Sequence, residues 1–424
     1  MPRRGLAAVQ PCSHAIAVSV ARTPTPSAAG VYWTAFIGLF FDYYDLYLFV
    51  YLEKVLAADF GFTPHASDLL QFCGLAAVGF GSLLFGYWAD RVGREKVLGA
   101  VFLLYVLALG GLSIAWSFWS VLVFRVAASL ALGAEWGVSH ALMSERAGRD
   151  RRYQFSAWLQ FAILGGLLAA LATRFGLPFV GWRGLFAASI IPVAVLSFFR
   201  WRWLTGAHQD SVVLETTPMA AGAGPQNEAV ADAARTGIDG FLFVRCLALA
   251  SLTIASGYIN LFFVKELPQS VAYTILFWVN AVPGMLLGAL IVRRMGVRRA
   301  LVIYAASLIA LSLLAWTQWL PGGKLSFALI LPVLNGIPFG LMGAYFNEVF
   351  ARHRTMLSGG AYNLGRIVAG FAPLLITALG LHEGENYFLF SAGLGVGVLA
   401  IGWSLHDRPF ALGHGTNAER ENGR

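Results

Sequence analysis

Twelve stretches of about 20 mostly apolar residues run through this chain. Each is long enough to cross a hydrocarbon core about 30 Å thick as a helix. Their approximate limits are 29–50, 68–89, 97–116, 118–145, 154–173, 183–203, 240–264, 271–292, 300–319, 325–350, 358–379 and 387–405. Only 12% of the residues are charged, about half of what a water-facing globular surface carries. Prolines fall inside several runs (Pro192, Pro283, Pro332, Pro338, Pro373), and membrane helices tolerate them because neighbouring helices or water satisfy the freed backbone groups. The expected fold is therefore all-α and integral to a membrane, with twelve transmembrane helices.

The formal net charge of +8 raises the question of nucleic acid, and its placement answers it. With the N-terminus inside, 22 of the 30 Lys and Arg residues fall in the tails and the inside connections, and five (Lys54, Arg174, Arg183, Lys265, Lys324) fall outside. That asymmetry predicts two cytoplasmic termini in a plasma membrane, the inner one in a bacterium, with the lipid bilayer and not nucleic acid as the macroscopic partner. Residues 1–28 start basic and run into "ARTPTP", which reads as a cytoplasmic tail and not as a cleaved signal peptide. Residues 407–424 form a second tail. Cys12, Cys73 and Cys246 lack C-x-x-C spacing and read as small hydrophobes. No metal-ligand cluster, nucleophile elbow or phosphate loop is visible, so no cofactor, metal or enzymatic activity is expected.

The chain repeats itself at an offset of 203 residues. "GAEWG" (133–137) aligns with "GIPFG" (336–340), and at the same offset Glu145 falls on Glu348, Gln160 on Asn363, Arg91 on Arg294 and Gly93 on Gly296. Two pseudo-symmetric six-helix bundles are expected, 29–203 and 240–406, joined by a cytoplasmic linker over 204–239 that has no apolar run. Two such halves about an axis along the membrane normal are a transporter plan, with the substrate near the midplane between them.

Between the second and third runs stands "GYWADRVGREK" (86–96). Gly86, Asp90, Arg91, Gly93 and Arg94 resemble the signature G-x-x-x-D-R-x-G-R-K/R of the major facilitator superfamily. A degraded copy, "ALIVRRMGVRR" (289–299), follows the eighth run. "DYYDLYLF" (42–49) in the first run and "GAEWG" in the fourth are similar to segments of its metabolite:proton symporter branch, and "YNLGR" (362–366) to segments of bacterial organic-anion carriers. The segments that mark sugar porters after the sixth and twelfth helices are missing, as is the Gly-Pro element of drug antiporters in the fifth. The resemblance implies twelve helices, alternating access and small organic acids as substrates.

Within that frame the charged residues acquire candidate roles. The resemblance places Asp90 at the N-terminus of the eleventh helix, whose start reads "SGG" (358–360), where free amides favour an anion. Arg91 and Arg94 are expected to pair with Glu145, forming a gate latch that closes when the halves meet on the inside; the alternative is that these bases serve topology alone. Asp42 and Asp45 share a face near the midplane. Two carboxylates so close in a poor dielectric repel, so with Glu135 they are candidates for proton coupling, or else for a network tying the first and fourth helices together.

Arg366 is the candidate for anion binding, because its planar fork matches a carboxylate. A salt bridge across the bundle is the other reading. Tyr362 and Asn363 share its face, and Gln160 and Tyr44 join them as candidate substrate contacts. Arg125 and Arg245 stand near helix starts and are read as reaching for headgroups. His140, Asn260, Asn280, Asn335 and Asn347 either line the cavity or hold helices together. The expected function is proton-coupled uptake of a small organic anion by a monomer, with substrate and protons as partners. The alternatives are a proton-driven exporter and a non-transporting sensor.

Overall fold

Helices with apolar residues all round have no polar face for water, and in a bilayer every backbone group has to be satisfied within the span. The computed structural model describes residues 28–147, 151–214, 240–266, 271–350, 353–372, 375, 379 and 386–405, and their regular structure is helical throughout. The first half comprises α1 (Ala28–Phe60), α2 (Pro64–Val92), α3 (Arg94–Ser113), α4 (Phe118–Arg146), α5 (Arg152–Gln160), α6 (Gly165–Leu171) and α7 (Leu177–Leu214). The second comprises α8 (Gly240–Glu266), α9 (Val271–Val279), α10 (Ala281–Met295), α11 (Val297–Trp316), α12 (Gly323–Val349), α13 (Arg354–Ala369) and α14 (Asn386–Ser404).

Ten of the helical stretches are long and apolar enough to span a membrane. One of these, Arg152–Val195, is 44 residues long and leaves helical geometry at Gly181 (φ 66°, ψ 176°), so it holds two spans. The eleventh expected run is described as α13 and a few residues beyond it. This is the twelve-helix plan. Phe80, Leu103, Leu107, Trp119 and Val123 are each more than 60% exposed on the outside of the bundle, a surface suited to lipid and not to water.

The internal repeat is a repeat of contacts. Gly81 leaves room for the backbone of α4 at Leu130, and 203 residues on Gly284 leaves room for the backbone of α12 at Val333. Gly133 packs on the backbone of Val78 and Ser82, and Gly336 on that of Ala281 and Met285, at the same offset. Any side chain at these positions would collide with main chain, so α2 meets α4 and α10 meets α12 at backbone distance. Gly93 (φ 104°) and Gly296 (φ 87°) turn α2 into α3 and α10 into α11, in a region of backbone space that other residues rarely occupy.

Three expectations about the elements change. The fifth span is not one regular helix: a 3₁₀ turn (Phe161–Leu164) separates α5 from α6, and a π turn (Ala172–Gly176) leads into α7. Helix α7 runs to Leu214, past Leu204 where the linker was expected, because no proline interrupts the chain between Pro192 and Pro218. Helix α13 begins at Arg354, one turn ahead of "SGG". Residues 215–239, both tails and Cys12 lie outside the described residues; Cys73 is half-buried and Cys246 buried.

Candidate functional site

The two halves close on each other at the end that carries Asp90, Arg94 and Glu145. Asp90, near the C-terminus of α2, accepts hydrogen bonds from the backbone N–H groups of Thr355 (3.2 Å) and Met356 (3.0 Å) in the first turn of α13. A carboxylate there gains about 0.3–1 kcal/mol from the helix dipole, more when partly buried. Gly86, one turn earlier, makes the approach possible: a Cβ on it would stand 2.7 Å from the Cα of Met356. Arg94 pairs with Glu145 and also donates from Nε to Thr355 Oγ1 (2.9 Å). Arg91 does not join them. It points outward over the ring of Tyr87, 4.3 Å from its centroid, because one residue along a helix swings a side chain by about 100°.

Deeper in, the seam stays tight. Gly137 faces Gly359 across it, Asn363 Nδ2 donates to the carbonyl of Gly133 (3.1 Å), and His140 lies against Gly343. Ser156 Oγ accepts from the N–H of Ala344 (3.0 Å), and the Tyr153 hydroxyl donates to Glu348 (2.7 Å), the residue the repeat pairs with Glu145.

Beyond the seam the halves part around a cavity of about 670 Å³ that runs from Tyr43 and Arg366 to Glu53 and Gln71, at the end away from Asp90. Its wall is aromatic. Tyr43 and Tyr47, one turn apart on α1, face Tyr258, Phe277 and Trp278 of the second half, and the rings of Tyr47 and Trp278 meet edge to face at 4.5 Å. Arg366 is 7% exposed and stands at the floor, 5.2 Å from the ring centroid of Tyr362. Among the described residues no carboxylate lies within ion-pair distance of it.

Tyr362 is stacked flat on Trp136 and its hydroxyl meets that of Tyr43 at 3.5 Å; Tyr43 in turn donates to Gln160 Oε1 (3.3 Å). Asp42 lines a recess of about 10 Å³ together with Tyr43, Asn363 and Arg366, room for about one water molecule.

The expected site residues thus divide. Arg366, Tyr362, Asn363 and Asp42 come together at the floor, and Gln160 supports Tyr43 from behind. Tyr44 does not face the cavity: it is rotated into the core of the first half, where its ring meets Phe41 edge to face. Asp45 and Glu135 lie in neither lining. The carboxylate of Asp45 is hydrogen-bonded by the hydroxyl of Tyr105 on α3, and Glu135 accepts from Ser139 Oγ (2.8 Å) one turn on.

Arg125 overturns the headgroup reading. It is 4% exposed, lines the cavity and lies 4.1 Å over the ring of Phe49. It shares one face of α4 with Ser129, Leu132 and Trp136, at helical spacing, and that face points inward. Arg245 stays at its helix end, donating to the carbonyl of Ser404 (3.1 Å). Asn280 and Asn347 donate to backbone carbonyls and act as interhelical or local ties, and the side chain of Asn260 lies outside the described residues.

Comparison with known proteins agrees with this architecture. The model of the Major Facilitator Superfamily matches residues 35–373. The cis,cis-muconate transport protein of Acinetobacter baylyi is 27% identical over 87% of this chain and 89% of its own length. The niacin transporter of the same organism is 31% identical over 38% of this chain and 37% of its own. Among solved structures, the proton:xylose symporter XylE superposes with a TM-score of 0.70 at 18% identity, covering 89% of this chain and 95% of that one.

Proposed function

This chain belongs to the major facilitator superfamily, and on that premise we propose that it takes up a small organic anion, a carboxylate, together with a proton. It is a membrane transporter and not an enzyme. The single observation that carries the anion reading is Arg366, a permanent cation buried in the cavity wall that makes no ion pair with a carboxylate among the described residues. Tyrosine hydroxyls and rings are neutral partners, a buried charge without a counter-charge is costly, and a substrate carboxylate in its planar fork offsets that cost. Relatives named for muconate and niacin carry carboxylates of the same size range. The aromatic wall suits an unsaturated or ring-bearing acid, whose flat faces stack on Tyr and Trp.

With the basic connections in the cytoplasm the sealed end is the inner one, and the cavity faces outward. Asp90, Arg94 and Glu145 then act as the inner latch. The halves rock about the floor residues, so that breaking the latch at one end and closing the cavity mouth at the other deliver the substrate inward. Proton coupling is assigned to the acids of the first half. Asp45 lies within α1 behind the cavity wall, and Asp42 lines the same recess as Arg366. A proton on one of them, with an anion on Arg366, lets the loaded carrier close around a nearly neutral site, a requirement of any passage through lipid.

The test is uptake into proteoliposomes of radiolabelled muconate, nicotinate and benzoate, with and without an inward proton gradient. Accumulation of any one of them that collapses with a protonophore supports the reading. Efflux against the gradient would make the protein an exporter, and binding without flux in either direction would make it a sensor.

A further inference from the structure

Asn280 stands at the break between α9 and α10, and Asn335, Asn347 and Asn363 are buried within helices; of these four, three spend Nδ2 on a backbone carbonyl. Asn280 donates to Leu329 (3.1 Å), Asn347 to Gly343 (2.8 Å) and Asn363 to Gly133 (3.1 Å). Asn335 is the exception. Its Oδ1 accepts from both Ser256 Oγ on α8 (2.9 Å) and Tyr304 Oη on α11 (3.0 Å). A carbonyl oxygen has two lone pairs, and both are used. With the amide in this orientation, Nδ2 is left with two N–H donors and no hydrogen-bond partner among the described residues.

The residue that carries this donor lines the cavity, with Nδ2 itself just beneath the surface in this conformation. Asn335 lines the cavity with Pro332 and Gly336, its neighbours on the same face of α12, and is 4% exposed. An amide that only ties helices together gains nothing from leaving one end unpaired, because an unsatisfied buried donor costs free energy that a partner recovers. We propose that Asn335 is a second substrate contact, donating from Nδ2 to an acceptor atom remote from the carboxylate. The transported anion is then a carboxylate that carries a further acceptor: a ring nitrogen, a carbonyl oxygen or a second carboxylate. This rests on the reading of Arg366 as the anion anchor and adds a selectivity that Arg366 cannot supply. A site built to hydrogen-bond an acceptor discriminates against the analogue that lacks it.

Matched probes test this. Benzoate and the three pyridine carboxylates (picolinate, nicotinate, isonicotinate) share ring, charge and size, and differ in whether and where a ring acceptor is present. Titration calorimetry on the full-length protein in detergent should show at least one isomer binding about tenfold or more tightly than benzoate. Asn335→Ala should abolish that preference and leave benzoate within about twofold. Asn335→Asp is the second variant: it keeps an oxygen for Ser256 and Tyr304 and replaces the donor by an acceptor. Its repulsion of the carboxylate group is common to all four probes and cancels in the ratio between them, while its lone pairs oppose a ring acceptor, so the preference should vanish or invert. Equal binding of all four probes by the wild type, or a preference that survives both variants, overturns the proposal. Failure of every probe to bind overturns the anion reading beneath it, a different result from equal binding.

Discussion

The rings of Trp136 and Tyr362 lie 3.8 Å apart and within 1° of parallel, although one belongs to each half of the molecule. The pair forms the boundary between the sealed seam and the open cavity: below it Gly137 meets Gly359, and above it Tyr362 carries Arg366. Stacked rings contribute about 0.5–1.5 kcal/mol beyond the area they bury. Trp136→Leu should therefore free Tyr362 and weaken carboxylate binding by roughly 2- to 10-fold without touching the ligand. Calorimetry on the variant would measure this, and unchanged affinity would show that the stack is packing alone.

Arg366→Lys keeps the charge but loses the planar fork, and should weaken carboxylate binding by about tenfold; Arg366→Gln loses both, at a cost of about 2–5 kcal/mol. The order matters as much as the size. Equal affinities for the two variants would mean that geometry plays no part at this residue.

Amide replacements of the acids mimic a permanently bound proton. Asp45→Asn and Asp42→Asn, with Glu135→Gln for comparison, should separate two activities in proteoliposomes: substrate counterflow persists, and accumulation driven by a pH gradient is lost in the coupling variant. Counterflow needs no net proton movement and so controls for folding. If all three variants accumulate substrate like the wild type, the proton is not the coupling ion.

Asp90→Ala removes the acceptor of two backbone N–H groups at the start of α13. At about 1–2 kcal/mol for a buried cap of this kind, the balance between sealed and open inner ends should shift by roughly 5- to 30-fold. Ser82→Cys, a nearly isosteric change at a buried position beside Gly359, reports it: its alkylation in inverted vesicles should speed up by that factor in the variant.

Single cysteines at Gln226 and at Gly322 should react with an impermeant reagent from opposite sides of the membrane, Gln226 from within and Gly322 from without. Labelling of both in intact cells would contradict the assigned orientation.

The features legible in the sequence were those carried by contiguous runs or by tight local spacing. The spans and the repeat belong to that group, because hydropathy and glycine spacing are local; the contact of Asp90 with the eleventh helix followed from the family resemblance of its loop motif and not from spacing. What sequence reasoning missed depends on rotation about a helix axis. Tyr43, Tyr44 and Tyr47 look alike in the chain, yet Tyr43 and Tyr47 share a face at i, i+4, and Tyr44 is turned about 100° away into the core. Arg125 was judged by its depth from the helix start. Its alignment with Ser129, Leu132 and Trp136 was the better signal, since that face is the buried one. The role of Asn335 depends on Ser256 and Tyr304, 79 and 31 residues away, and no local pattern announces it.

Where Gly81 meets Leu130 and Gly284 meets Val333, main chain lies directly on main chain, with no layer of side chains between to shear. Each half is thereby keeled: α2 with α4, and α10 with α12, travel as single planks. The compliance that transport demands has to reside elsewhere, and the 3₁₀ and π turns of the fifth span, Phe161–Leu164 and Ala172–Gly176, are where the backbone departs from its stiffest form. A carrier built this way flexes at its joints and not in its beams.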